Sequence, residues 1–199
     1  MSIWLVISIC FLPILLFLSW SKKYREKNPD IFGYILSLIG TFVGVAVGLY
    51  FSDLAAAKDK RQRAVKVLEA SKEEMEWLVN RAKIIDTVTQ QQKKYYYLEM
   101  PPFFAETLRS ELLAETLHPK TMEHFNVLRE NLLFDVSILK KDINNKNIKA
   151  LQQDLVDYKG QINQTIKAID LEIDLLNNKI KPKAFETVTK NMLDSLMKN

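Results

Sequence analysis

The pattern of apolar and polar positions divides the chain in two. Ile3 to Trp20 and Ile31 to Ser52 contain no charged residue, and each is long enough for a hydrocarbon core of about 30 Å, which needs about 20 residues. Two transmembrane helices are predicted, over about 3–20 and 31–52, with Pro13 expected to kink the first. From residue 53 onward helix formers dominate, apolar residues recur at steps of three and four, and no stretch alternates with period two over a strand length. The fold class expected is all-α: a two-helix transmembrane hairpin at 1–52, then a helical soluble domain at 53–199, as a bundle or antiparallel coiled coil.

Within the second part the periodicity predicts separate helices. Nothing between Ser52 and Ile85 is a proline or glycine, so the first soluble helix should grow straight out of the second span as a rigid arm. Its inward line is Ala64, Leu68, Ser71, Met75, Leu78, Ala82 and Ile85. "TVTQQQKKYYYLEMPP" reads as an interruption, its tyrosines favoured to pack a turn against the bundle, with base stacking or a membrane surface as the alternatives for "KKYYY". "FFAETLRSELLAETL" reads as one short helix ending near Leu117, and Pro119 as the start of the next, which carries Phe125, Leu128, Leu132, Val136 and Leu139. After "NNKN", Ile148, Leu151, Leu155, Tyr158, Ile162, Ile166, Ile169, Ile173, Leu176 and Ile180 form the longest periodic run. Two successive steps of four beside Gly160 predict a stutter, Lys181-Pro182 a stop, and "AFETVTKNMLDSLMKN" a last short helix.

Charge and composition refine the membrane reading. Only "SKKYREKNPD" separates the spans, so both chain ends lie on one side of the bilayer, and both that loop and the segment after the second span are basic. Trp4 and Trp20 bracket the first span, and Tyr34 and Tyr50 the second, as membrane-interface residues. Lys58, Lys60, Arg61 and Arg63 are expected at anionic lipid headgroups, at about 1 kcal/mol each. The net charge of +4, with its basic excess beside the span, is not a nucleic-acid-binding profile. A multi-pass membrane protein with a cytoplasmic C-terminal domain is expected.

Chemistry-bearing groups are sparse. The single cysteine, Cys10, falls within a span, and His118 and His124 match no metal-ligand spacing, so both histidines are expected at the surface or at helix ends. No phosphate-binding glycine loop occurs. The spans contain no Asp, Glu, Lys, Arg or His, which argues against a proton-coupled pump. The expectation is a non-enzyme without catalytic residues, metal, cofactor or small-molecule substrate.

The second span carries Gly33, Ser37, Gly40, Thr41, Gly44 and Gly48 at steps of three and four. Small residues let backbones approach closely in lipid, so this row is a candidate helix-packing and oligomerisation face. It is filled either by the chain's own first span, through Leu12, Leu15 and Leu16, or by another copy in a homo-oligomer.

A charge-free first span, a short basic loop, a second span with "GTFVGVAVGLYFSDL" and a Lys/Arg-rich helical tail resemble the two-transmembrane effectors of bacterial retron anti-phage defence systems. The resemblance covers about the first 70 residues. It implies an effector in the inner membrane of a bacterium, held in an inhibitory complex with a reverse transcriptase and its RNA–DNA product. Released, such an effector perturbs the inner membrane and causes abortive infection. The alternative is a membrane-anchored helical adaptor that recruits a protein partner through its bundle.

Overall fold

The computed structural model describes residues 29–92, 98–145 and 147–196. These form six helices: α1 (Pro29–Gln92), α2 (Pro102–Thr107), α3 (Glu111–Thr116), α4 (Pro119–Asn145), α5 (Ile148–Leu176) and α6 (Pro182–Leu196). The described residues contain no strand, as the all-α expectation requires. The chain divides into two compact units, Met1–Asp59 and Lys60–Asn199, with the boundary inside α1. The expected first span, with Trp4, Cys10, Pro13 and Trp20, the basic loop after it, and the tyrosine run at 95–97 lie outside the described residues. Among the described residues one helix, α1, is long and apolar enough to cross a bilayer.

The second unit is built on seams of heptad spacing. Along α1 the buried positions are Ala64, Leu68, Ser71, Met75, Leu78, Ala82, Ile85 and Thr89, steps of four and three that keep one stripe inward. Along α4 they include Phe125, Leu128, Leu132, Val136 and Leu139. Phe104 meets Phe125 edge to face with ring centroids 5.7 Å apart, and the Tyr158 hydroxyl donates to the Glu99 carbonyl at 3.2 Å, tying the stretch before α2 to α5.

On α5 the buried line departs from the apolar pattern. It runs Leu151, Leu155, Tyr158, Ile162, Thr165, Ile169, Glu172, an unbroken alternation of fours and threes. The expected stutter beside Gly160 is absent, because two seam positions are polar and the neighbouring Ile166 and Ile173 are only partly buried at the flank. Thr165 is accommodated by donating its hydroxyl to the Gln161 carbonyl at 3.0 Å. Glu172 is held by His118 of the α3–α4 connection and Thr121 in the first turn of α4.

Four boundaries also differ from the sequence reading. First, α1 continues through Thr87–Gln92, since Thr89 extends the buried seam and Thr87 folds its hydroxyl back onto the Lys83 carbonyl at 3.0 Å. Second, the single helix expected after the prolines is two. In a continuous helix Phe104 and Leu113 would lie about 180° apart, whereas the break at Leu108–Ser110 lets Phe104, Leu108, Leu113 and Leu117 all be buried. Third, α5 stops at Leu176, ahead of Lys181-Pro182. Asn178 takes a left-handed φ of 58°, and the amides of Asn178 and Lys179 donate to the carbonyls of Leu175 and Asp174 at 2.9 and 2.8 Å, a Schellman end in which asparagine replaces the usual glycine. Ile180 therefore lies outside the helix. Fourth, α6 starts at Pro182, two residues earlier than expected.

Two helix starts take their caps from distant helices. Both α2 and α4 begin with proline, and neither Pro101 nor His118 is a preferred N-cap residue. Glu74 of α1 instead accepts from the amides of Phe103 and Phe104 at 3.1 and 2.9 Å. Glu172 of α5 accepts from the His118 amide at 3.1 Å and from the Thr121 hydroxyl. A carboxylate at a helix N-terminus also meets the positive end of the helix dipole, so each cap fixes a chain entry and an interhelical register together.

Candidate functional site

The first candidate surface is the apolar stretch of α1. Ile31 to Ser52 spans about 33 Å at 1.5 Å per residue, enough for a hydrocarbon core. Helical geometry sorts it into three faces about 120° apart. Gly33, Ser37, Gly40, Thr41, Gly44 and Gly48 lie on the first, where all are exposed. A Cβ added at any of the four glycines would have nothing within 4 Å. The Thr41 hydroxyl donates to the Ser37 carbonyl at 2.9 Å, which satisfies it within the helix. Ile31, Leu38, Phe42, Val45 and Leu49 form the second face, also exposed. The third, with Phe32, Ile35, Leu36, Ile39, Val43, Val47 and Tyr50, is buried or partly buried. Tyr34 is exposed, while Tyr50 packs edge-on to Phe51 at 5.8 Å.

Beyond the stretch, Lys58, Lys60, Arg61 and Arg63 are all exposed. Lys60 pairs with Glu115 at 2.7 Å, and that hydrogen bond raises its pKa. Arg61 borders a cavity of about 350 Å³ together with Leu117, His118, Pro119, Glu172 and Leu175.

That cavity holds the one fully buried carboxylate among the described residues, Glu172. Burial raises its pKa, opposed by the hydrogen bonds from Thr121 and His118. His118 is half-buried, accepts from the Lys120 amide at Nδ1 (3.3 Å) and directs Nε2 toward Glu186 at 3.5 Å, with its ring edge-on to Phe185. The nearby hydroxyls are committed elsewhere: Thr116 to the Leu112 carbonyl at 2.6 Å and Thr121 to Glu172. These contacts make the cluster a helix-end clamp. His118 sits at a helix end as expected, but His124 does not lie at the surface: it is buried inside α4, where desolvation lowers its pKa.

A third surface is the groove between α4 and α5, of about 620 Å³, lined by Asn131, Phe134, Asp135, Val156, Asp157, Gly160, Gln161 and Gln164. Phe134 and Val156 are exposed at 64% and 54%. Burial, aided by the charge of Asp157, pushes the Asp135 carboxyl up to about 6. Asp154, burdened by burial and then by its hydrogen bond to Asp142, also sits at about 6. The buried acceptors Asp135 Oδ2, Asp154 Oδ2 and Gln161 Oε1 have no hydrogen-bond donor among the described residues. Gly160 lies exposed inside α5 with nothing within 4 Å of an added Cβ, although glycine in a helix interior costs about 1 kcal/mol relative to alanine. No group of three or more His, Cys, Asp or Glu among the described residues is arranged to hold a metal ion.

Glu172 and the groove escape a sequence reading that follows apolar residues alone. The signal for Glu172 was its heptad register with Ile162, Thr165 and Ile169. For the groove it was Asn131, Asp135 and Asp142 on one face of α4, matched by Asp154, Asp157, Gln161 and Gln164 on α5. Comparison with protein-family models, with curated proteins and with solved structures gave no match.

Proposed function

We propose that this chain is a membrane-anchored helical adaptor: residues 1–52 anchor it in a bacterial inner membrane, and the bundle holds a protein partner on the cytoplasmic side. One observation carries this reading. Of the 22 residues from Ile31 to Ser52 fifteen are exposed and only Phe32 is buried, whereas the same helix from Ala64 to Thr89 buries a continuous seam. An uncharged helix surface of this length, with Ile31, Leu38, Phe42, Val45 and Leu49 all exposed, is stable against lipid and costly in water. The test is induced expression of the full chain, followed by carbonate washing of the membranes and a membrane-potential dye. The adaptor stays with the washed membranes, a chain lacking residues 1–52 does not, and polarisation and growth are unchanged. Recovery of the wild-type chain in the soluble fraction would overturn the anchor.

The open row from Gly33 to Gly48 favours a second reading, a membrane-perturbing effector in which these faces meet between copies of the chain. Depolarisation on induction, suppressed by Gly44→Leu, is its expected signature. The antiviral setting, with a reverse transcriptase and its RNA–DNA product as inhibitory partners, rests on the retron-effector resemblance of the N-terminal residues. A neighbouring reverse-transcriptase gene whose co-expression silences the depolarisation is the observation that supports it.

A further inference from the structure

The groove between α4 and α5 has features that the bundle itself does not use. Its apolar walls, Phe134 and Val156, are more than half exposed. Its floor is Gly160, where no described side chain or backbone comes near enough to require a missing Cβ. Asp135 and Asp157 line it, and Asp154 is close enough that the charges of both bear on its carboxyl. Donors are missing for Asp135 Oδ2, Asp154 Oδ2 and Gln161 Oε1. Gln153 donates to Asp157 at 3.4 Å, Asp154 shares a hydrogen bond with Asp142, and no lysine or arginine among the described residues forms an ion pair with Asp135, Asp154 or Asp157.

Charge decides among occupants. An acidic groove repels a phosphate backbone and anionic headgroups, and a second copy laying the same groove on this one would set Asp135 and Asp157 against themselves. A chain rich in Lys and Arg would supply the counter-charge. An apolar trough between two helices suits an amphipathic helix presenting side chains at i, i+3, i+4 and i+7. A glycine floor lets such a helix approach closely.

We propose that the α4–α5 groove docks a basic amphipathic helix of a partner protein. Its apolar side chains pack on Phe134 and Val156, its backbone crosses Gly160, and its Lys and Arg heads reach Asp135 and Asp157. The proposal rests on the adaptor reading in that the bundle's task is to hold a protein, and it names the surface and the chemistry of what is held.

The experiment uses the full chain in nanodiscs of zwitterionic lipid, with empty nanodiscs as blank. The probe is a fluorescein-labelled helical peptide of about five turns, leucine on one face and Lys/Arg on the other, beside a counterpart with Glu in place of Lys/Arg. Fluorescence anisotropy is expected to show saturable binding of the basic peptide alone. Binding should weaken about tenfold or more in Asp135→Asn/Asp157→Asn and also in Gly160→Leu, which fills the floor without altering charge. Glu73→Gln, on the exposed face of α1, should leave it unchanged. Circular dichroism checks that each variant keeps its helix content, and Gly160→Leu is compatible with helix, so loss of binding is separable from loss of fold. Equal binding to wild type and Gly160→Leu, preference for the acidic peptide, or no saturable binding would overturn the proposal. Those outcomes leave the adaptor reading standing, because it fails on membrane retention and polarisation instead.

Discussion

Two segments of a single helix present the same chemistry to different surroundings. Between Ile31 and Ser52, α1 carries large apolar residues such as Leu38, Phe42, Val45 and Leu49 that are exposed. Between Ala64 and Thr89 it carries about as regular a small-and-apolar stripe, and every position of the heptad line is buried. The difference is what lies around the stripe. In the second segment it is flanked by charge, with Lys72 reaching Asp170 of α5 at 2.7 Å and Glu74 capping α2, so only one face is sheltered by protein. In the first, uncharged residues occupy the whole circumference, and a helix apolar all round needs a nonaqueous neighbour on every side.

The largest expected effect separates the segments by stability. Leu68→Ala should cost the bundle about 2–5 kcal/mol through lost burial and a cavity, whereas Leu38→Ala should leave its unfolding unchanged. Thermal and urea unfolding followed by circular dichroism in one detergent makes the comparison. A converse test uses charge. Val45→Lys places an ammonium mid-span at a cost of about 2.5–3.5 kcal/mol on insertion scales, and should release the chain from washed membranes while the melting of the bundle stays constant.

Smaller effects sharpen the bundle side. Glu172→Ala removes the acceptor of the His118 amide and the Thr121 hydroxyl, leaving buried donors unpaired at about 1–3 kcal/mol, and Glu172→Gln should restore part of the loss. The pH dependence is subtler. Asp135 and Asp154 lie at about 6 in the folded chain, above the value near 4 of an unfolded aspartate. Their contribution to stability is complete below about pH 4 and is lost as pH rises through about 6. His124, lowered by burial, runs the other way: its contribution is present above about 6.5 and is lost as pH falls. Asp135→Asn should flatten the decline in melting temperature between about pH 4 and 7 on the carboxylate side, leaving the histidine limb intact.

The sequence made the regular parts legible for a physical reason. Ala64 to Ile85 and Phe125 to Leu139 are inward lines whose members are apolar or small, so residue type and burial coincide. Legibility failed where they part. Thr165 and Glu172 occupy seam positions because other elements supply their partners, and a reading restricted to apolar residues slid onto Ile166 and Ile173 and inferred a stutter. Thr87–Gln92 looked like a loop by composition, yet Thr89 continues the seam. The break after Thr107 was encoded in phase rather than in proline or glycine, since Phe104 and Leu113 can both turn inward only if the helix stops between them. The small-residue row from Gly33 to Gly48 was legible as a row.

The central claim is that one stretch of α1 meets lipid while its continuation meets protein. Spin labels placed singly along α1 on a Cys10→Ser background, with the full chain in nanodiscs, measure this through accessibility to oxygen and to a water-soluble nickel complex. At positions 38, 42, 45 and 49 the account predicts high oxygen and low nickel accessibility. At 58 and 63 nickel accessibility should be high, and at 68, 75 and 82 both should be low. High nickel accessibility at 42 and 45, or low accessibility to both reagents there, would contradict it.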